Sequence, residues 1–448
     1  MQARPAPSIP WRDAAHHSKI NKHFRLLICS SNVNSKHQKG IRMKSDRLLL
    51  ITACVVGLFS TVGASLPYPV LPPLFADGQV NAINSFAGLP PKFLLGLALA
   101  INPLGMLIGS ALLGALSDQA GRRKTILLSL LGNALGHLAT MVALVTGHYL
   151  LFLLARFVTG LTEGNVSIVR ALLADELQGE RRLRGFAWLN GASFSGWLIG
   201  PLIAGATVQF GVGVPFLLAA VVLFVTLLMA WVSIPDHPPT HADAGIWDHV
   251  KKHQSFALLK HAPLRELFVL HFAYSIGVTA FYEFFPLWLV EFAHFKAGGI
   301  SVVSAVLCAV MTGASALVGR GWFKTADTRH LRMHMMLAAA CIALTAILGP
   351  VWGCVALISF GVPHALYNAG LPIYCSERFA DYGQGAIMGL LSTTFCVSNV
   401  LVAVVGSSVT LIDTRLALLL GAACSVAGGY RITRWARQTA GTEKGSVA

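Results

Sequence analysis

The chain has 448 residues, 55% of them hydrophobic and 12% charged, with a mean hydropathy of +0.65. That is too much apolar surface and too little charge for ordinary soluble domains, so lipid must be the solvent over most of the length. The formal net charge of +15 does not mark a nucleic-acid binder, because the basic residues are distributed loop by loop and are not gathered on one face.

Residues 1–46 are polar and basic (Arg4, Arg12, Lys19, Lys22, Arg25, Lys36, Lys39, Arg42) and hold no apolar run long enough for a secretory signal. They read as a cytoplasmic tail or as an overextended start, since Met43-Lys44-Ser45-Asp46-Arg47 would itself open the first span. Apolar runs able to cross a ~30 Å hydrocarbon core follow at 47–67, 93–117, 125–147, 149–174, 185–209 and 213–234. After an interruption they resume at 265–290, 298–322, 331–349, 350–375, 384–411 and 413–436. Glycines recur within them as Gly105/Gly109, Gly132/Gly136, Gly160/Gly164 and Gly196/Gly200, a spacing that lets helices approach closely in lipid.

The loops alternate in charge. Arg122, Arg123 and Lys124 follow span 2; Arg181, Arg182 and Arg184 follow span 4; Lys251, Lys252 and Lys260 follow span 6; Lys324, Arg329 and Arg332 follow span 8. Arg431, Arg434 and Arg437 close the chain, whereas the other loops hold little beyond Lys92, Lys296 and Arg415. The positive-inside rule then makes both termini cytoplasmic and the span count even, in a multi-pass protein of the inner (plasma) membrane. The eight cysteines (Cys29, Cys54, Cys308, Cys341, Cys354, Cys375, Cys396, Cys424) form no CxxC pair and lie mostly inside spans, as small apolar fillers.

The interruption begins at Pro235-Asp236-His237-Pro238-Pro239 and runs to about residue 263. Its histidines, His237, His241, His249, His253 and His261, sit in a polar, proline-containing stretch and read as a solvated linker, not as a metal site. It divides the chain into an N-terminal six-helix bundle (47–234), a cytoplasmic linker (235–263), a C-terminal six-helix bundle (264–436) and a cytoplasmic tail (437–448). The bundles echo one another. Phe59-Ser60-Thr61-Val62-Gly63 in span 1 parallels Tyr274-Ser275-Ile276-Gly277 in span 7, and Gly160 to Glu176 overlays Gly361 to Glu377 without a gap. The expected fold is therefore an all-α membrane protein: twelve transmembrane helices in two pseudo-symmetric six-helix bundles, with a site at the midplane between them.

Ionisable groups inside spans are costly and point to function. Span 4 carries Arg156, Glu163 and Arg170 at i, i+7 and i+14, a spacing that predicts one polar stripe with steps of about 10 Å. The overlay sets Glu163 against His364, beside Tyr367 and Asn368. Span 7 adds Glu283 with Tyr274 and Tyr282, and span 1 adds Ser60, Thr61 and Tyr68. Glu163, Arg156, Glu283, His364, Asn368, Tyr367 and Tyr282 are thus the candidates for proton coupling and substrate binding, since a buried acid beside a buried cation can exchange a proton for a solute. The structural alternative is an interhelical network for Arg156 and Glu163, and for His364 a bond to a carbonyl freed by Pro363 or Pro372. Arg170, Asp175 and Glu176 lie toward the cytoplasmic end, among the loop charges.

The segment Gly114-xxx-Asp118-xx-Gly121-Arg122-Arg123, between spans 2 and 3, resembles the loop signature of the major facilitator superfamily. Arg156-Phe157-Val158-Thr159-Gly160 is similar to that family's span-4 arginine motif. Gly196-xxx-Gly200-Pro201-xxx-Gly205 is similar to the span-5 motif of exporters that run as proton antiporters, with Ala204 at a position that is usually glycine. Together with Pro69-Val70-Leu71-Pro72 and with Ala174-Asp175 followed by Glu180-Arg181, these look most like drug/proton antiporters of the tetracycline-exporter type.

The resemblance implies a proton-coupled secondary transporter exporting a small amphiphilic molecule (drug, metabolite or siderophore), with no enzyme activity, cofactor or metal, working as a monomer. It also implies a cytoplasmic gate of Gly114, Asp118, Gly121, Arg122, Arg123 and Asp175, in which Asp118 caps a helix of the facing bundle and Arg122 ties back to Asp175. The corresponding stretch Gly319 to Asp327 has Phe323 where the acid belongs, so only the first copy is expected to gate. Where tetracycline exporters carry acids in spans 1 and 3, this chain has Ser60 and Gly136, the latter beside His137, and instead places Glu163 in span 4. That departure argues against tetracycline itself and opens the option of an anionic solute drawn to Arg156. The alternatives are a proton-linked importer of the same fold and, more distantly, a transport-dead receptor or an intramembrane enzyme. No Walker sequence and no nucleophile with a base at one depth accompanies the spans.

Overall fold

Backbone groups in lipid have no water to bond, so an apolar run there must satisfy its own N–H and C=O groups as helix. The computed structural model describes residues 47–76, 81–236, 259–319, 327–379 and 384–445, and it is helical in every expected span. The basic tail 1–46, the linker histidines His237, His241, His249 and His253, and the second loop copy around Phe323 lie outside the described residues.

Among the described residues, ten helices are long and apolar enough to cross a membrane. The two remaining expected spans are helical but fail on different grounds. Span 4 is built from two pieces, Tyr149–Glu163 and Asn165–Glu176, and carries five charged residues, Arg156, Glu163, Arg170, Asp175 and Glu176. Span 12, Thr414–Gly445, runs on from its apolar part into a polar stretch beginning at Arg431. The expected continuous stripe is thereby corrected: Gly164, at φ −63° and ψ 0°, interrupts the helix between Glu163 and Arg170.

The expected loop after span 2 also differs. Span 2 runs as helix from Pro91 to Ala120, past Asp118, and span 3 begins at Arg122. The whole turn is compressed into Gly121, whose φ of 94° with ψ 148° suits glycine and strains any residue with a Cβ. That single residue sets Arg122 and Arg123 at the membrane face.

Span 3 (Arg122–Thr146) shows how the sequence divides lipid from core. Leu128, Leu131, Leu135, Leu138, Val142 and Val145 are exposed at helical spacing, while Ile126, Leu130, Asn133, Ala134 and His137 on the opposite side are buried. The apolar outer stripe is the lipid face.

Packing repeats between the halves. Span 3 packs on spans 4 and 6 as span 9 packs on spans 10 and 12, and span 2 packs on span 4 as span 8 packs on span 10. Between the halves, span 2 meets span 11, span 5 meets span 8, and span 1 meets span 7. Exchanging the halves converts the first of these contacts into the second and leaves the third unchanged, as a two-fold pseudo-symmetry along the membrane normal requires. The midplane where spans 1, 2, 4, 7 and 10 converge is where the polar groups lie.

Candidate functional site

Spans 2 and 4 meet at backbone distance. A Cβ at Gly160 would overlap the Asn102 carbonyl, one at Gly105 the Phe157 carbonyl, and one at Gly109 the backbone of Leu161. This contact brings Asn102 against the polar face of span 4. Its amide donates to Glu163 Oε2 at 3.0 Å, with Thr159 Oγ1 at 3.3 Å and the Arg156 carbonyl at 3.4 Å as further acceptors.

Around that link the polar groups are buried and short of partners. Arg156 and Glu163 are 3% and 5% exposed, yet Arg156 Nε and Nη1 and Glu163 Oε1 make no hydrogen bond. His137 and Asn133, one turn apart on span 3, are fully buried, and neither ring nitrogen of His137 nor either amide atom of Asn133 is bonded. His137 stacks on Phe216 and abuts Gly63 of span 1. Asn165 donates to Ser60 Oγ at 2.9 Å, tying the break in span 4 to span 1. Arg170 lies apart from this group, donating to Asn190 Oδ1 at 2.9 Å. Buried polar atoms left unbonded by the protein mark a place where water or solute is held.

The second half is built differently. His364 is bonded through both ring nitrogens, Nδ1 to the Tyr274 hydroxyl at 3.1 Å and Nε2 to the Asn368 amide at 2.9 Å. An Asn368 amide donating to Nε2 puts the ring proton on Nδ1, which then donates to the Tyr274 oxygen. His271 Nδ1 pairs with the Tyr367 hydroxyl at 3.0 Å, and the Tyr274 and Tyr367 rings lie 4.1 Å apart. Phe360 stacks on His364 at 5.0 Å, and Tyr282 sits 5.7 Å from His364 and donates to Met311 Sδ. Glu283 stands outside this network: it is 2% exposed, and its Oε2 is unbonded.

At the membrane face, Arg122 Nε pairs with Asp175 Oδ2 at 3.1 Å and its Nη1 donates to Ser117 Oγ at 2.7 Å. Arg123 donates to the Trp231 carbonyl at 2.6 Å. Gly114 and Asp118 lie on the last turns of span 2; the Asp118 side chain falls outside the described residues. On span 5, Gly196 and Gly200 abut span 1 at Leu58, Val62 and Ser65, Gly205 abuts Ser301 of span 8, and Pro201 lies within the helix.

Asn102 and His271 are not among the candidates drawn from the sequence. Asn102 is the polar residue in the middle of the apolar run of span 2, and His271 stands one turn before Tyr274; both positions were available signals.

Residues 53–403 match the Major Facilitator Superfamily. The chain belongs to that family. It is a multi-pass membrane transporter and not an enzyme. It is 26% identical over 357 residues to the class B tetracycline resistance protein of Escherichia coli, across 76% of this chain and 82% of that one. It is 34% identical over 187 residues to the class C protein of Escherichia coli, across 42% of this chain and 44% of that one. Matches to the class D, H, E and C proteins span between 43% and 66% of those proteins. To multidrug resistance protein 2 of Bacillus subtilis it is 22% identical over 316 residues, across 68% of this chain and 77% of that one. Among solved structures, the POT family transporter PepTSo superposes with a TM-score of 0.70 at 13% identity, covering 88% of this chain and 98% of that one. The human organic anion transporter MFSD10 (TETRAN) superposes with a TM-score of 0.63 at 18% identity, covering 86% and 99%. These two likenesses establish the fold.

Proposed function

We propose that this chain is a proton-coupled antiporter of the inner membrane that expels a small amphiphilic organic molecule by alternating access, as a monomer with both termini in the cytoplasm. The observation that carries the reading is Glu163: a buried carboxylate with one oxygen held by Asn102 and the other unbonded, about two helical turns along span 4 from a buried, under-bonded Arg156. Such an acid can take up a proton or face a bound solute with little rearrangement, and the break at Gly164 lets span 4 give locally.

The tetracycline and multidrug resistance proteins to which the chain is similar support export, as does the Gly196, Gly200, Pro201 and Gly205 pattern on span 5. In this reading Glu163 and Arg156 couple protons to solute, and Glu283, Tyr282, His364, Tyr367 and Asn368 line the opposing wall. Gly114, Asp118, Gly121, Arg122, Arg123 and Asp175 form the cytoplasmic gate.

The test uses everted and right-side-out vesicles loaded from a panel of amphiphilic compounds, with an imposed pH gradient. Export predicts gradient-driven uptake into everted vesicles, abolished by Glu163→Gln while the variant remains folded in the membrane. Uptake into right-side-out vesicles would instead establish a proton-linked importer, and full activity of Glu163→Gln would remove the acid from the coupling role.

A further inference from the structure

At the face opposite Arg122 and Asp175, an ion pair between described residues joins the two halves of the transporter. Lys92 Nζ lies 2.6 Å from Glu291 Oε1 and also donates to the Thr410 carbonyl at 3.1 Å. Lys92 is in the first turn of span 2, Glu291 in the last turn of span 7, and Thr410 is the last residue of span 11. One side chain of the first half thereby holds the ends of two helices of the second. By contrast, the Arg122–Asp175 and Arg123–Asp236 pairs stay inside the first half and Arg431–Glu266 inside the second.

Neither charge of the joining pair suits its own helix. A cation in the first turn meets the positive end of the helix dipole, and an acid in the last turn meets the negative end. Each is locally unfavourable, so its placement finds its reason across the interface, and Lys92 gains the dipole ends of spans 7 and 11 in the bargain. The position is also one where the charge pattern of the loops disfavours a basic residue, since this face carries few.

The second half braces its side of the contact. Arg415 stacks over the Phe292 ring at 4.5 Å, next to Glu291, and grips Asp413 with bonds from its side chain and its backbone amide. Those bonds, and then the charges of Arg415 and Lys92, hold the Asp413 carboxyl below the usual aspartate range, so Lys92 sits within reach of a second negative charge.

We propose that Lys92 and Glu291 form a latch that keeps this face closed and that must part each time the halves rock to open it. In a two-state transporter a contact made in only one state shifts the balance by the whole of its free energy, so losing the pair should raise the open population of this face by about two- to fivefold.

The experiment is hydrogen–deuterium exchange on the full chain in lipid nanodiscs, with no solute and no pH gradient. Its outcome is therefore independent of whether the chain is an exporter and of the role of Glu163. Lys92→Glu should speed exchange in peptides covering residues 83–95, 287–296 and 408–415 and slow it around residues 117–125. The reversed pair Lys92→Glu/Glu291→Lys should return both faces toward the native pattern. If Lys92→Glu does not fold, Lys92→Met and Glu291→Gln give the same reading at smaller amplitude. Native exchange in the single variants, or a reversed pair no better than its parents, overturns the latch.

Discussion

At matching depths in spans 4 and 10 the two halves bury polar groups in opposite ways. Around Glu163 the groups are ionisable and under-bonded: Arg156, Glu163 and His137 all keep free hydrogen-bonding atoms. Around His364, the residue that overlays Glu163, the groups are aromatic or amide and bonded to one another, with both imidazole nitrogens engaged. Duplication has kept the scaffold and divided the chemistry. A carboxylate with an unbonded oxygen can change charge state or partner at small cost, whereas a ring bonded on both sides must first break a bond. At these overlaid positions the first half is therefore the responsive wall and the second the fixed one, while Glu283, with its own unbonded Oε2, lies outside the bonded network of the second half.

The largest effect that tests this contrast comes from paired substitutions at the overlaid positions. Glu163→Gln should reduce gradient-driven transport to the vesicle leak, while His364→Gln should keep transport coupled to the gradient and raise KM. Equal loss of coupling in both would break the contrast and make the two halves equivalent proton sites. Arg156→Met should follow Glu163→Gln closely, because it leaves the buried acid without a cation; Arg156→Lys should restore part of the rate, keeping the charge without the guanidinium geometry.

Next in size is Asn102, the contact between spans 2 and 4. Asn102→Ala removes a hydrogen bond to a buried carboxylate and should lower turnover by about tenfold, in line with the strength of a bond to a charged group. Asn102→Gln cannot place its amide at the same point beside Gly160 and should recover little. Initial rates over a substrate series separate turnover from KM, and an unchanged turnover would assign Asn102 to packing alone.

The gate gives a smaller effect. Arg122→Ala severs the bonds to Asp175 and Ser117, which are partly solvent-exposed. It should slow transport several-fold and leave solute affinity as it was, since none of these atoms lies at the midplane. Equilibrium binding of the transported compound checks this, and a changed affinity would move the residue from gate to site.

Much of this was readable from sequence because lipid imposes strong rules. Long apolar runs, alternating basic loops and an internal overlay fix the span number and the two halves before any side chain is placed. The candidate site residues that the sequence offers, Arg156, Glu163, Glu283 and His364, are the ones the membrane penalty exposes. Asn102 carries no charge and escapes that filter, whereas His271 is ionisable like His364 and lies within its reach. The break in span 4 was hidden for a related reason. Gly164 forms a Gly-xxx-Gly pair with Gly160, a pattern that signals helix packing, and whether such a glycine also ends a helix depends on neighbours as distant as Ser110 of span 2. The cross-half pair Lys92–Glu291 lies 199 positions apart, and only the folded interface brings it together.

The finest test of the fixed wall is Tyr274→Phe. The ring stays against Tyr367 while the hydroxyl bonded to His364 Nδ1 is lost, so the change is one hydrogen bond in a packed aromatic network. Thermal unfolding in detergent should show a loss of about 1 kcal/mol, the usual worth of a neutral buried bond, with coupling to the proton gradient intact. The outcome separates template from relay. If His364 only holds the wall in shape, cutting its bond to Tyr274 costs stability and little transport; if protons pass through the ring, the same change should cost transport out of proportion to stability, and the second half would have to be counted as responsive too.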